Sequence, residues 1–550
     1  MSAMEADYVI VGAGSAGCAV AWRLAEAGRS VLVIEHGGTD AGPLIAMPGA
    51  LSLPMGMARY DWGYRTEPEP GLDGRRLAAP RGKVLGGSSA INGMVWVRGH
   101  ARDYDAWREA GAEGWGFADV LPYFRRLEGL SDVPAADPAW RGTEGPVRVT
   151  RGRLENPLFG AFLEAARQAG YAPSPDLNGE RQEGMGALER TVWRGRRWSA
   201  ADAYLRPARA TGRCRVVRAL ARRVRIEDGR ATGVETDRGF VAARGEVVLA
   251  ASAFNSPKLL MLSGIGPAAH LAEHGIETVA DRPGVGEGLQ DHLEVYVQWA
   301  ARRPVSLRRH WSLFGRALAG ARWLATRGGP GGSNQFEAGG FLRSRAGVAW
   351  PDLMIHFLPL AVRYDGRAAA PGHGFQAHVG PTRSPARGRV RLRSGDPAAP
   401  PTIRFAYMRG EGDRETFRAG IRLVREIAAQ PALADFVARE IAPGPEATDD
   451  AALDAFVRAH AESAYHPCGT CRMGRRDDPR AVVDPEVRVI GVEGLRVADS
   501  STFPTIPNAN LNATAIMVGE KAADHLLGRA PLPAANVAPW TPADWRTAQR

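Results

Sequence analysis

A glycine-rich turn close to the N-terminus constrains the fold more than any other feature of this chain. An apolar run, a glycine turn, a helical stretch and a second apolar run follow one another at residues 8–11, 12–17, 18–27 and 31–34. Gly12 permits the tight turn, Gly14 lets the backbone approach a pyrophosphate, and Gly17 lets the helix pack against the sheet. Glu35 follows Gly17 by 18 residues and can accept hydrogen bonds from an adenosine ribose. The pattern predicts a βαβ dinucleotide-binding unit, but the turn alone does not distinguish NAD from FAD.

The length of the chain requires more than one packed unit. A single hydrophobic core stops growing at about 250–300 residues, and this chain has 550. A second strand-rich block is predicted at residues 213–234, followed by short strands at 246–250 and 388–393. A helix is predicted at 513–527 with an asparagine as its N-cap, and the residues after Gly528 are predicted to be a loosely packed surface segment.

Charge and cysteine content exclude some classes of protein. The net charge of +10 does not indicate nucleic-acid binding, because the arginines are scattered and no nucleic-acid-binding motif occurs. Four cysteines are too few and too irregularly spaced for a disulfide framework, which favours a reducing compartment. The sequence has no signal-peptide pattern and no run of about 18 apolar residues. A cytoplasmic location is expected, with peripheral association with the inner face of the cell membrane left open.

Three longer segments are ordered and specific. They are Arg81–Gly93 (RGKVLGGSSAING), Asn255–Gly266 (NSPKLLMLSGIG) and His466–Gly474 (HPCGTCRMG). Together they resemble the glucose-methanol-choline (GMC) oxidoreductases. The segments Gly339–Arg345, Gly374–Gly380 and Asn510–Thr514 extend the resemblance over nearly the whole chain, and they are most similar to the choline-oxidising members of that family.

The resemblance implies an α/β architecture assembled from separated parts of the chain. An FAD-binding Rossmann-like domain of GMC type would comprise residues 1–155, 195–303 and 464–530. An α+β substrate domain, with an antiparallel sheet flanked by helices, would comprise residues 156–194 and 304–463. Residues 531–550 would form a C-terminal tail.

The resemblance also implies a set of cofactor contacts. Besides the glycine turn and Glu35, the residues implied to bind FAD are Lys83, Gly87, Ser88, Asn92, Gly93, Ala221, Asp499 and Asn512. Some family members attach FAD covalently through a histidine in the segment that contains Gly-Gly-Ser-Ser, but the matching position here is Ile91. Non-covalent FAD is therefore expected. A helix that begins near Ala513 would place its positive end near the reduced flavin.

Three side chains are candidates for catalysis. Removing a hydride from an alcohol carbon is easier when the hydroxyl proton is leaving, so the reaction needs a base and donors that hold the developing alkoxide. The resemblance implies that His466 is this base and assists hydride transfer to flavin N5, with Asn510 as its partner. His356 would be a third contact of the substrate hydroxyl. No role is expected for the other ten histidines.

The expected substrate is choline, oxidised to betaine aldehyde, with further oxidation to betaine as an open extension. A quaternary ammonium group is best held by aromatic faces with a carboxylate nearby. The resemblance implies Trp62, Phe336 and Tyr465 as the aromatic side chains and Glu294 as the carboxylate. Aliphatic residues at 360–362 stand where related oxidases have another aromatic residue, which predicts a looser cage. The electron acceptor is expected to be a quinone, another carrier or dioxygen.

Other functions remain open at this point. One alternative is a GMC dehydrogenase or oxidase for aliphatic or aryl alcohols, and another is a non-redox lyase on the same FAD-containing scaffold. His466, Cys468 and Cys471 are three potential metal ligands. No second ligand pair occurs at the spacing of a metal site, so no metal is expected.

Overall fold

The computed structural model describes residues 4–133, 136–363, 366–369 and 371–550. Its first sheet has seven strands and contains the N-terminal unit. From one edge the strands are Cys214–Arg218, Val31–Glu35, Met4–Val11, Gly239–Leu249, Arg230–Thr236 and Ala221–Glu227, and Leu495–Val497 also pairs with Gly239–Leu249. Pairing is parallel except at the hairpin Ala221–Thr236 and its junction with Gly239–Leu249. The predicted βαβ unit and the predicted strands at 213–234 and 246–250 are confirmed.

Local sequence explains the centre of this sheet. All five residues of the strand Val31–Glu35 are buried, as expected for a parallel strand with both faces covered. The first helix, Ser15–Glu26, packs against the helix Asn512–Leu526, whose Gly519 allows close approach because a Cβ there would lie 2.6 Å from the Ala16 carbonyl oxygen. The C-terminal helix is therefore part of the dinucleotide-binding unit although nearly 500 residues separate it from the first helix.

The second sheet is antiparallel. Its strands follow the order Ala338–Leu342, Leu353–Leu358, Gly374–Pro381, Leu293–Ala301 and Val437–Ala442, and Glu462–Ser463 pairs with the start of Leu293–Ala301. The helix Glu411–Ala428 covers this sheet with a stripe of buried residues that includes Phe417, Ile421 and Val424. The helices Pro157–Gln168 and Asp450–His460 complete the apolar layer.

The strand Leu293–Ala301 departs from the predicted division of the chain. The predicted FAD-binding segment 195–303 includes this strand, but its hydrogen bonds run to Gly374–Pro381 and Val437–Ala442. The chain therefore passes from the first unit to the second before residue 293. The predicted boundary at 303 is too late by at least the length of this strand.

The remaining elements are shorter or peripheral. The other strands are Val95–Trp96, Glu128–Ser131, Val147–Arg151, Gly184–Ala187, Glu189–Arg190, Val192–Trp193, Arg196–Arg197, Ile265–Gly266, Ala280–Asp281, Glu287–Leu289, Gly388–Arg391 and Thr402–Arg404. The other α-helices are Pro43–Ala46, Ala101–Glu109, Phe117–Leu127, Arg206–Ala210, Ser252–Leu262, Ala268–Glu273, Leu313–Thr326 and Pro431–Ala434. Within the described residues, no helix has both the length and the apolar content needed to cross a bilayer.

Two local predictions differ from the structure. The helix Asn512–Leu526 has Leu511 at its N-cap position and no side-chain cap, because Asn512 instead accepts a hydrogen bond from the Ser15 hydroxyl. The residues after Gly528 are held more closely than predicted. The Ala535 amide donates to the Ala118 carbonyl at 2.9 Å, and Arg343 Nη1 donates to the Ala548 carbonyl at 2.8 Å.

Candidate active site

One cavity of about 450 Å³ extends from the glycine turn to the second sheet. The carboxyl ends of the first two parallel strands line it through Val11 and Glu35, which is where open α/β sheets bind ligands. At the other end its walls include His356, His466 and Asn510. Residues that are distant in sequence therefore meet around one space.

The glycine turn leaves room for a phosphate. Gly12 has a φ of +106°, and a Cβ there would lie 2.4 Å from the Ala250 carbonyl oxygen. A Cβ on Gly17 would lie 2.1 Å from the Gly12 carbonyl oxygen, so this glycine permits the helix to pack closely. At Gly14 the nearest protein atom would be 3.8 Å away, and Ser15 of the following helix also lines the cavity. A helix N-terminus without a side-chain cap is thus presented to the cavity, and such an end binds anionic phosphate.

Glu35 is held in a fixed position at this end. One carboxylate oxygen accepts from the Ala13 amide at 2.9 Å and the other from the Gly37 amide at 2.7 Å. Burial raises the pKa of this carboxyl group, while the backbone amides oppose the rise. Each oxygen has a second lone pair, which is suited to accepting from a ribose hydroxyl.

The other predicted cofactor residues divide into two groups. Seven of them line the cavity, namely Gly87, Ser88, Asn92, Gly93, Ala221, Asp499 and Asn512. Lys83 is not part of its wall and instead places its ammonium 5.9 Å from the Trp62 ring centroid. Lys258, which the sequence analysis did not select, does line the cavity. Its place in the segment Asn255–Gly266 was the available signal.

Four buried polar atoms of the cavity wall are available to bind a ligand. Among the described residues, no hydrogen-bond partner is found for Ser252 Oγ, Asn334 Oδ1, His356 Nε2 or Asn510 Oδ1. Buried polar atoms are otherwise almost always paired. Together with the glycine turn and Glu35, these atoms make the cavity suitable for a dinucleotide at one end and a small polar molecule at the other. Ile91 also lines the cavity, where it offers no nucleophile to the cofactor.

His466 stands at the end of a chain of hydrogen bonds. His292 Nε2 lies 3.0 Å from the Thr382 carbonyl oxygen, which can only accept, so this nitrogen carries the proton. His292 Nδ1 is then an acceptor, and His466 Nδ1 donates to it at 3.0 Å. Because a neutral imidazole has one N–H, His466 Nε2 keeps its lone pair, and Asn510 Nδ2 donates to it at 3.0 Å.

The protonation state of His466 suits a base. Burial lowers its pKa well below the usual value, and His292, His356 and Arg81 lower it further. Burial likewise lowers the pKa of His292 to about 4. Both imidazoles are therefore neutral near pH 7, and the hydrogen bonds direct the lone pair of His466 towards Asn510. Sequence reasoning selected His466 and Asn510 but gave His292 no role, although it lies two residues before Glu294.

A buried carboxylate fixes the backbone beneath this histidine. Asp291 accepts from the His466 amide at 2.6 Å, from the Tyr407 hydroxyl at 2.5 Å and from the Ser463 hydroxyl. Burial raises its pKa to about 6, and these hydrogen bonds oppose the rise. Tyr465, directly before the histidine, has a φ of +66°, a conformation that is costly for a non-glycine residue.

The second sheet supplies a polar group facing the same space. Glu294 accepts from His378 Nδ1 at 3.0 Å, and Gln376 Nε2 donates to His378 Nε2 at 2.8 Å. Phe336 packs edge-on against both His356 and His378, at 6.0 and 5.5 Å between ring centroids. His378 is a further residue that the sequence analysis missed.

The predicted aromatic cage is only partly assembled. Trp62, Phe336 and Tyr465 all line the cavity with Glu294. Trp62, however, stacks on His36 at 5.1 Å and on Tyr64 at 5.8 Å, which places it beside the segment that follows Glu35. Leu360 and Val362 line the cavity where the sequence predicts an aliphatic wall.

Outside the cavity, one group of described residues has its potential ligand atoms close enough together to hold a metal ion: His270, Glu273 and His274. His270 Nε2 accepts the Leu392 amide at 3.1 Å, which leaves the proton on Nδ1, where it faces Glu273. This arrangement satisfies the imidazole without an ion.

Known proteins match the chain over nearly its whole length. The sequence model described as GMC oxidoreductase matches residues 6–294 with its N-terminal part and 384–519 with its C-terminal part. Oxygen-dependent choline dehydrogenase of Brucella anthropi is 58% identical over 552 residues, with 100% of both chains covered. Pyridoxine 4-oxidase from Mesorbium loti has a TM-score of 0.85 at 31% identity, covering 95% of this chain and 99% of its own. A formate oxidase variant from Aspergillus oryzae RIB40, studied for FAD modification, has a TM-score of 0.89 at 28% identity, covering 96% and 99%.

Proposed function

The chain belongs to the GMC oxidoreductase family and is an FAD-dependent oxidoreductase that acts on alcohols, and we propose that its substrate is choline, which it oxidises to betaine aldehyde. The observation that carries this proposal is the convergence on one cavity of a neutral histidine with a directed lone pair, His466, and a carboxylate, Glu294. The Brucella relative, which is named a choline dehydrogenase, supports the same substrate.

The chain's own groups would handle the proton and the charge of the substrate. When bound, FAD supplies the acceptor for the hydride that leaves the alcohol carbon. His466 Nε2 takes the hydroxyl proton, and the imidazolium formed is stabilised by the negative charge developing on the substrate oxygen. Asn510 and His356 lie beside it. His356 Nε2, which has no partner among the described residues, and the second N–H of Asn510 Nδ2 would donate hydrogen bonds to the alkoxide.

The opposite wall would bind the trimethylammonium group. Glu294 provides the negative charge and Phe336 an aromatic face, a combination that favours a quaternary cation over a neutral alcohol. The hydrate of betaine aldehyde carries the same cation and a hydroxyl in the same position, so we include its oxidation to betaine. The aliphatic wall at Leu358, Leu360 and Val362 favours one alternative, oxidation of apolar aliphatic or aryl alcohols.

The finer statements about cofactor, acceptor and location belong to the same proposal. Ile91 supports FAD held without a covalent bond. The reduced flavin would be reoxidised by a quinone or another carrier, or by dioxygen as the name of the Brucella relative suggests. The cationic chain would act in the cytoplasm, in peripheral association with the inner face of the cell membrane.

An anaerobic substrate comparison tests this proposal. The purified flavoprotein is mixed with choline, benzyl alcohol or a medium-chain alcohol, and the loss of flavin absorbance is followed. Rapid bleaching by choline supports the assignment, whereas bleaching only by the neutral alcohols would reject choline as the substrate. If no alcohol bleached the flavin, the non-redox lyase would replace the oxidoreductase.

A further inference from the structure

The helix Leu313–Thr326 exposes an apolar face that packs against nothing in the described residues. Its four large apolar side chains are largely solvent-accessible: Leu313 at 88%, Phe314 at 79%, and Leu318 and Leu324 at 59% each. Of its 14 residues only Gly315 and Trp323 are buried. These two lie on the opposite side of the helix, and Trp323 Nε1 donates to the Gly195 carbonyl at 2.6 Å. The helix is thus anchored on one side and uncovered on the other.

The exposed face is continuous. At 100° per residue, the four large side chains and Ala317, Ala321 and Ala325 form one arc of roughly 140°. Arg322 borders the arc on one side and Arg316 on the other. Most amphipathic helices turn such an arc towards the protein core, so its exposure needs another explanation.

The charged side chains of the helix and of its neighbours in sequence have one sign. Residues 302–336 contain seven arginines and no aspartate or glutamate. Arg308 and Arg309 precede the helix and Arg327 follows it. An apolar arc bordered by arginines is the pattern of a helix that lies in the headgroup region of an anionic bilayer.

A second copy of the chain fits this surface poorly. A two-fold contact would place the same patch on both partners. The arginines of one copy would then face those of the other without a carboxylate between them in residues 302–336. Like charges across an interface disfavour association, whereas anionic lipid neutralises them.

The helix follows directly on residues that line the cavity. Leu307 and Trp311, just before it, line the cavity, and Arg316 stacks on Trp311 at 4.6 Å. On the neighbouring segment Leu51 and Met55 also line the cavity, and Leu53 is exposed. A surface that docked through this helix would therefore meet the rim of the active site.

We propose that the helix Leu313–Thr326 is a docking surface for an anionic lipid bilayer, with its apolar arc inserted and its arginines at the headgroups. This inference rests on the proposed peripheral membrane association and names the surface that carries it. The docked enzyme turns the cavity rim towards the membrane, so that an apolar carrier dissolved in the bilayer reaches the flavin without crossing water.

Vesicle sedimentation of the full-length holoenzyme tests the proposal. Vesicles of equimolar phosphatidylglycerol and phosphatidylcholine are compared with phosphatidylcholine alone. We expect the wild-type protein to bind the anionic vesicles and Phe314→Ser/Leu318→Ser to bind at least tenfold more weakly, or about 1.4 kcal/mol. Arg309→Gln/Arg322→Gln should also weaken binding, and Val279→Ser, at another exposed apolar position, should not.

The other outcomes separate the claims. If Phe314→Ser/Leu318→Ser bound the anionic vesicles as tightly as Val279→Ser, the helix would be rejected as the docking surface, while membrane association itself would stand. A smaller sedimentation coefficient for Phe314→Ser/Leu318→Ser, without lipid, would identify a second copy as the occupant instead. Failure of the wild-type protein to bind either vesicle would reject membrane association as well. Choline oxidation with a soluble dye as acceptor is measured in parallel and should be the same in all variants, because none of them alters the cavity wall.

Discussion

Replacing His292 with leucine removes the acceptor that orients His466. In the wild-type protein the His292 Nδ1 lone pair holds the proton of His466 on Nδ1, so His466 Nε2 keeps the basic lone pair that accepts from Asn510. In His292→Leu the His466 N–H loses this partner. The imidazole then either leaves a buried donor unpaired or moves its proton to Nε2, where the basic lone pair is lost.

The size of the effect follows from the lost hydrogen bond. Leaving a buried donor without a partner costs about 1–3 kcal/mol. If that cost falls on the reactive tautomer, a value of about 2 kcal/mol corresponds to a decrease of roughly 30-fold in the rate of flavin reduction. His292 also lowers the pKa of His466. Its removal should therefore shift the acidic limb of the pH profile to higher pH, which a merely structural loss would not do.

Anaerobic stopped-flow reduction by choline measures both effects. His292→Asn should recover part of the rate, because its amide oxygen can take the place of Nδ1 as the acceptor. His525→Leu is the control, since this histidine is partly buried but does not line the cavity. Wild-type rates and an unshifted pH profile in His292→Leu would refute the orienting role.

Three further predictions concern the base, the cofactor and the substrate cation. Because burial lowers the pKa of His466 well below 6.5, kcat/KM for choline should stay nearly constant from pH 7 to 6. A histidine of pKa 6.5 would lose about two thirds of its basic form over this range, and a decrease of that size would contradict the depressed pKa. Gly17→Ala should be purified with little flavin, since the new Cβ would lie 2.1 Å from the Gly12 carbonyl oxygen. The control Gly160→Ala should keep its flavin absorbance, because its new Cβ would have no atom within 4 Å. Glu294→Gln should raise the KM for choline about 10–100-fold, because roughly 1–3 kcal/mol of charge attraction is lost. An equal rise in the KM for the neutral analogue 3,3-dimethylbutan-1-ol would argue against a cation site.

The N-terminal unit could be predicted because its signals are local. The glycines at 12, 14 and 17 and the acid at 35 lie in one strand-turn-helix-strand segment, and their spacing has a direct geometric meaning. His466 and Asn510 are 44 residues apart, and neither has a local pattern that indicates chemistry. They were predicted through the resemblance of the segments around them to one family, and their hydrogen bond in the structure agrees with that pairing.

The residues that were missed depend on long-range packing. His378 reaches the site because its strand pairs it directly with His356 and with Tyr296, and strand register cannot be read from an isolated histidine. His292 acts through the contact of its Nδ1 with Nδ1 of His466, which lies 174 residues further along the chain. The misplaced boundary near residue 303 has the same cause, since only the pairing of Leu293–Ala301 shows to which sheet it belongs.

We propose that His466 is the base in FAD-dependent oxidation of choline. The most direct test is the rate of flavin reduction by choline without oxygen in His466→Ala, with flavin content and choline affinity measured on the same preparation. General base catalysis contributes about 10²–10⁴-fold, so we predict a loss of at least about 100-fold, with FAD still bound and choline affinity changed less than about threefold. Reduction at a rate close to that of the wild-type enzyme would contradict the assignment.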